Sequence, residues 1–328
     1  MKAVLCKAFG PPESLVVGDV EPRKPGKGQV ALDMKAAGVN FADSLIIQGK
    51  YQFKPDFPFS PGLEGAGVIR EVGEGVSEFK VGDRVMVHSI ASGSFSQDLI
   101  MDTSLVFPIP DVMDFNTAAG FFITYGTSHH SLKDRAQIQP GETLVVLGAA
   151  GGVGLTAVEL GKVIGARVIA AASTDEKLAL CKKYGADDTI NYSKDDLRDA
   201  IKKLTDGKGA DVIYDPVGGS LAEPAVRSLA PGGRFLVVGF AAGDIPSIPL
   251  NLVLIKRSAI VGVFFGNWVL ANETKAKANI KELLDWYTAG KIKPHISKVY
   301  AMNEAVDAIN HVVSRKVEGK VVVSLENA

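Results

Sequence analysis

Leu144-Val-Val-Leu-Gly-Ala-Ala-Gly-Gly-Val-Gly154 decides the fold of this 328-residue chain. Leu144 to Leu147 run without a polar interruption into a glycine turn, and Val153 to Ile164 then carry a helical pattern. A strand apolar on both faces belongs in a parallel sheet with helices on either side. The turn itself suits a phosphate. Gly151 lets backbone approach a pyrophosphate, Gly154 lets the helix pack closely on the strand, and the helix N-terminus offers unpaired N–H groups and the positive end of its dipole. Ala150, Gly151, Gly152, Val153 and Gly154 are the candidate contacts. Ala149 stands where the usual Gly-x-Gly-x-x-Gly has its first glycine, so the specificity comes from the strand before the turn and the helix after it.

Downstream the texture repeats. Strands are predicted at Arg167 to Ala172, Thr189 to Tyr192, Asp211 to Tyr214 and Arg234 to Gly239, with helices ending at Tyr184, over Leu197 to Leu204, and around Leu221 to Leu229. That alternation predicts a doubly wound α/β sheet. When such a sheet binds NAD, a carboxylate at the end of the second strand takes the ribose hydroxyls. Here the strand ends in Ala172 and Ser173. With no carboxylate to repel a 2′-phosphate, Ser173 can donate a hydrogen bond and Lys177 supplies a positive charge, so NADP(H) is the expected cofactor. Ser173-Thr-Asp-Glu176 also reads as a capping box with Ser173 at the N-cap.

Upstream, Gln29 to Lys35, Gly65 to Val72, Asp83 to His88 and Phe95 to Met101 are short β-type runs separated by Gly and Pro, which predicts a β-rich module. Beyond Trp268 come an amphipathic helix near Ala276 to Tyr287, a strand at Ser297 to Tyr300, a helix at Asn303 to Val313 and a strand at Lys320 to Leu325. The last strand is surplus to a six-stranded nucleotide fold and is expected to return to the N-terminal module.

Composition narrows the function classes. Thirty-six basic against 37 acidic side chains leave a net charge of −1, too little to drive binding to nucleic acid or to an anionic membrane. Cys6 and Cys181 are the two cysteines, few for a disulfide-dependent secreted chain, so a cytoplasmic location is expected. The apolar stretch Ala3 to Cys6 is too short for a signal-peptide core, and no apolar run nears the roughly 20 residues that span a bilayer.

Five blocks follow one another in order: Gly38-Val-Asn-Phe-Ala-Asp43, Pro61-Gly-Leu-Glu-Gly-Ala-Gly67, Val81-Gly-Asp-Arg-Val85, Gly93-Ser-Phe-Ser-Gln97 and Ala149-Ala-Gly-Gly-Val-Gly154. Gly65 and Gly67 read as permitting a close turn into a strand, and Gly82-Asp83 as a turn. Together, over essentially the whole chain, the blocks resemble the zinc-free NADPH:quinone oxidoreductase branch of the medium-chain dehydrogenase/reductase superfamily. The resemblance implies a GroES-like β-barrel catalytic domain from residues 1–123 and 266–328, with a Rossmann NADP(H)-binding domain over 124–265 inserted in it. Cofactor and substrate are then expected in the cleft between the domains. By position it also implies cofactor contacts at Thr124, Tyr192, Val217, Gly239, Phe240, Phe264, Phe265 and Gly266, with Arg315 reaching the 2′-phosphate. The implied substrate contacts are Asn40, whose amide orients a carbonyl oxygen, and Tyr51, a hydrogen-bond donor or wall of the site. A second tyrosine common in the branch is replaced by Leu45 or Ile46.

In zinc-dependent relatives a Cys and a His-Glu pair hold a catalytic zinc. Asn40 stands at the Cys position and Leu63 at the His position, leaving Glu64 alone, and no His has a Cys or Glu beside it at ligand spacing. No metal is expected, and Glu64 reads as a structural hydrogen-bond acceptor. A substrate reduced without a metal must itself accept hydride readily, as quinones and other conjugated carbonyls do. The expected activity is direct hydride transfer from NADPH to a quinone. An enone or enoyl-thioester reductase is the enzyme rival, the thioester requiring a basic channel from residues such as Lys256, Arg257 and Lys298. The rival of another class is a non-catalytic NADPH-binding protein, crystallin-like or RNA-binding, against which the near-neutral charge argues. Ser258 to Phe265 reads as an apolar edge strand, and the resemblance implies that it pairs edge to edge in a homodimer.

Overall fold

The computed structural model describes residues 1–89 and 93–326. The chain divides into two compact units: Met1–Ile123, Val269–Thr288 and Lys293–Ala328 form the first, and Thr124–Trp268 with Ala289–Ile292 the second.

The second unit holds the apolar runs that opened the sequence reading. Its six parallel strands lie in the order Asp188–Asn191, Arg167–Ala172, Thr143–Leu147, Ala210–Asp215, Leu229–Val237, Ala259–Gly262. This is the doubly wound order. It reverses between Thr143–Leu147 and Ala210–Asp215, and sheets of this kind take ligands at such a switch point, outside the carboxyl ends of the strands. Val145, Leu147, Ile169, Ala171, Ile213 and Phe235 form its interior together with residues of the covering helices. The predicted run Ser258 to Phe265 is shorter in the structure. Strand Ala259–Gly262 stops and helix Phe265–Ala271 begins, because the Phe265 ring turns inward onto Gly126, leaving Phe264 at the bend.

The first unit is organised by one eleven-residue strand, Gln29–Val39. One edge pairs with Glu64–Val72; the other pairs with Asp98–Asp102 along Gln29 to Asp33 and with Lys320–Ser324 along Ala36 to Val39. Register shifts at Ala31/Leu32 and Met34/Ala36 bend the strand, as bulges do at barrel corners. The surplus C-terminal strand thus finds its partner in the N-terminal module, with Ile296–Ala301 parallel to it on the outside. Gly65 and Gly67 lie inside strand Glu64–Val72 and not at a turn. A Cβ at Gly65 would press on the Ala36 carbonyl at 2.8 Å and one at Gly67 on the Asp33 carbonyl, so these glycines serve the close strand crossing at the bulge. Among the described residues no helix is long and apolar enough to cross a membrane.

Candidate functional site

The first unit buries a ring of three polar side chains. Glu64 has no exposed surface and lies opposite Gly38 in the sheet. Its Oε1 accepts from Asn40 Nδ2 at 3.0 Å and from Lys320 Nζ at 2.6 Å, and its Oε2 accepts the Ile123 peptide N–H at 2.8 Å. Lys320 Nζ also donates to Asn40 Oδ1 at 2.6 Å, which closes the ring. Charges buried this deeply are costly unless paired and hydrogen-bonded, and here both conditions hold.

Asn40 immediately precedes helix Phe41–Ile47, and the Asp43 carboxylate accepts its peptide N–H at 2.7 Å. Asp43 is fully buried, and its Oδ1 has no well-formed hydrogen bond among the described residues. Burial is the main reason its carboxyl is pushed up to about 7; the Asn40 peptide and the Lys320 ammonium oppose the rise, and the Glu64 charge adds to it. The Tyr51 phenol is raised by burial and then by the Asp43 charge. Asn40 and Tyr51, both read from the sequence, therefore belong to one electrostatic environment centred on Asp43. The structure also shows Asn40 already occupied. Both ends of its amide are hydrogen-bonded in the ring, and among the described residues Nδ2 has one further, long contact, to Gly38 O at 3.4 Å.

Sequence reasoning misses Asp43 and Lys320. The signal for Asp43 was present, since Asn40-Phe-Ala-Asp43 places an acid three residues after an N-cap. Lys320 carried only a weak mark, a lysine heading the apolar run Val321 to Val323.

In the second unit, Gly151 is the N-cap of helix Gly152–Ile164 and brings no side chain to its free N–H groups. A Cβ at Gly151 would meet nothing nearer than Gly148 O at 3.4 Å, whereas one at Gly154 would overlap Gly148 O and lie 2.9 Å from Ala149 Cα. The turn is thus open where a phosphate would lie and closed where helix meets strand. The other nucleotide candidates gather at the same carboxyl ends. Tyr192 N donates to Ala172 O at 3.1 Å, which sets Tyr192 beside Ser173. Val217 N and Gly218 N donate to Asp215 Oδ1 at 2.8 and 2.9 Å, and the Val217 side chain sits over Gly148. Gly239 follows strand Leu229–Val237 beside Pro216, and the Phe240 ring covers Gly218. Thr124 is buried, and its carbonyl accepts Thr156 Oγ1 at 3.1 Å.

The cap of the helix after the second strand sits differently from the sequence reading. The N-cap is Thr174, whose hydroxyl accepts Lys177 N at 3.3 Å, so the helix starts one residue later than predicted and Ser173 is not needed for the cap. Phe265 is buried against Gly126, and Gly266 follows it in the same helix, while Phe264 is 44% exposed. Arg315 belongs to the first unit, exposed, with a left-handed φ of 58° after helix Ala305–Val313. Among the described residues no three His, Cys, Asp or Glu side chains form a group that could hold a metal ion.

Comparison with known proteins agrees with this architecture. Residues 26–111 match the alcohol dehydrogenase GroES-like domain, and residues 152–289 match the family described as zinc-binding dehydrogenase. Quinone oxidoreductase-like protein 2 of Bos taurus is 39% identical over 99% of this chain and 93% of its own. A quinone oxidoreductase of Pseudomonas aeruginosa is 33% identical over 98% and 99% of the two chains. The crystal structure of Escherichia coli quinone oxidoreductase complexed with NADPH superposes with a TM-score of 0.92 at 28% identity, covering 99% of this chain and all of that one. With its GroES-like sheet, its doubly wound nucleotide sheet and its similarity to these proteins over nearly their full length, the chain belongs to the zinc-free quinone oxidoreductase branch of the medium-chain dehydrogenase/reductase superfamily.

Proposed function

We propose that the protein is an NADP(H)-dependent oxidoreductase that reduces a quinone by direct hydride transfer, without a metal. The observation that carries the reading is the open glycine turn at the switch point, followed by a second strand that ends in Ser173 with no carboxylate. The nearest acid, Asp175, has its two oxygens engaged by Asn191 Nδ2 at 2.6 Å and Lys194 Nζ at 2.5 Å. Quinone oxidoreductases matched over their full length, one of them solved with NADPH, support the cofactor and the acceptor.

Gly151, Gly152, Val153 and Gly154 would hold the pyrophosphate through their peptide N–H groups, and Ser173 and Lys177 the 2′-phosphate. When bound, NADPH supplies the hydride. The protein's part is to orient the acceptor and to stabilise the negative charge that grows on its oxygen. Asn40 does this with the Nδ2 hydrogen now only loosely held by Gly38 O. One hydride and one proton convert the quinone to the hydroquinone, so electrons and charge balance without a further reductant. The test is the initial rate of NADPH oxidation against ortho-quinones, para-quinones and simple enones, with NADH in parallel. Quinone turnover preferring NADPH is expected. Turnover of enones alone would replace the acceptor, and absence of NADPH binding would overturn the reading.

We further propose a twofold dimer. Among the described residues strand Ala259–Gly262 is the unpaired edge of its sheet, and Leu250, Leu254 and Ile255 on the preceding helix are 76, 77 and 73% exposed. An apolar patch beside a bare edge calls for a covering surface, and a second copy supplies the same edge in reverse. Sedimentation equilibrium at micromolar concentration should give twice the chain mass, and Leu254→Asp should give monomers. A monomeric wild type sinks the dimer.

A further inference from the structure

We infer that Lys320 is a positioning residue for the substrate site, acting through the Asn40 amide; the inference rests on the acceptor role proposed above for Asn40. The two ends of an asparagine amide are nearly the same shape and opposite in hydrogen-bonding character, so something must decide which end faces the ligand. Glu64 Oε1 accepts Nδ2 at 3.0 Å, and the Lys320 ammonium donates to Oδ1 at 2.6 Å. Glu64 and Lys320 orient the amide together, and the ammonium makes the reversed orientation untenable, because it would set Nδ2 against a cation. With Oδ1 locked onto Lys320, the hydrogens of Asn40 are the end left for an acceptor oxygen. Flipped, Asn40 would present a carbonyl to a developing oxyanion.

The surroundings are shaped for this ring. A Cβ at Gly38 would lie 2.7 Å from Glu64 Oε1, and one at Gly120 would lie 2.7 Å from Lys320 Cγ. Both glycines leave the volume that the Glu64 and Lys320 side chains fill. The ammonium reaches across 280 residues of sequence to Asn40 and is 6% exposed, so water does not compete freely for its hydrogens.

A plain buried ion pair would give the same picture but different variants. Lys320→Met leaves the buried Glu64 without its cation, so loss of stability alone proves nothing. The discriminating protein is the double variant Glu64→Gln with Lys320→Met, which removes both charges together. We expect its melting temperature to return to that of the wild type and its NADPH affinity to be unchanged. Its kcat on the quinone should stay about a hundredfold low, the lower end of what losing one oxyanion donor costs. Recovery of kcat together with stability would overturn the positioning role. A readout without substrate separates this from the activity itself. The side-chain amide protons of residue 40, identified by their absence in Asn40→Asp, should exchange slowly in the wild type and fast in the double variant. Equal exchange in the two would also overturn the role, whereas a wild type inert toward every quinone and enone would overturn the acceptor reading and leave that exchange result standing.

Discussion

Gly154→Ala should reduce NADPH affinity by at least about a hundredfold and destabilise the fold by about 2–3 kcal/mol. The sign is the informative part. At an unencumbered helical position the same change stabilises by up to about 1 kcal/mol, because alanine is the better helix former. Here the new Cβ would overlap the Gly148 carbonyl oxygen and stand 2.9 Å from Ala149 Cα, and both obstacles are backbone. Relief requires helix Gly152–Ile164 to move off strand Thr143–Leu147, which carries the peptide N–H groups of the turn out of their common focus. Gly151→Ala is the control. Its Cβ meets only Gly148 O at 3.4 Å, an ordinary contact, so it should leave stability nearly unchanged while filling the space proposed for the phosphate. Urea titration and calorimetric titration with NADPH read the two quantities separately. A Gly154→Ala protein as stable as the wild type that binds NADPH normally would remove the turn from the proposed site.

The nucleotide sheet was legible because its information is local. Leu144 to Leu147 and Arg167 to Ala172 are apolar on both faces and spaced by helices of the right length, and they pair as neighbours, Leu144 with Val168 and Leu147 with Ala171. Ends of elements were less legible. Ser173 and Thr174 are both able caps, and the sequence pattern favours Ser173 through Glu176, yet the chain turns one residue later and Thr174 takes Lys177 N. Gly65 and Gly67 were read as turn glycines, but what demands them is the carbonyl of a different strand, which no local pattern announces. The same holds more strongly for Lys320. Only the pairing of Val321 with Val39 and of Gly38 with Glu64 brings residues 40, 64 and 320 together, so the ring is a property of sheet register and not of any motif. Asp43 lay between these cases: its spacing from Asn40 was readable, while its burial and its raised pKa came from the packing around it.

The misplaced cap has a use, because it frees Ser173 for a clean test of cofactor choice. In Ser173→Asp, Thr174 still caps helix Asp175–Lys183, so the helix should survive. The new carboxylate would follow Ala172 at the end of the second strand, where a 2′-phosphate is proposed to sit. Two like charges about 4 Å apart repel by ~4 kcal/mol at the effective dielectric of a protein surface, and salt and solvent reduce this to about 2–3 kcal/mol. The same carboxylate can accept hydrogen bonds from the two ribose hydroxyls of NADH, which favours the other cofactor. Both effects move one ratio in one direction. The quotient of kcat/KM for NADPH over NADH should therefore fall by roughly a hundredfold or more. Asp175 does not pre-empt the result, since its oxygens are engaged by Asn191 and Lys194. An unchanged quotient in a variant that remains folded would mean that the 2′-phosphate is held elsewhere. The strand end would then lose its role in choosing the cofactor, even if the glycine turn kept its own.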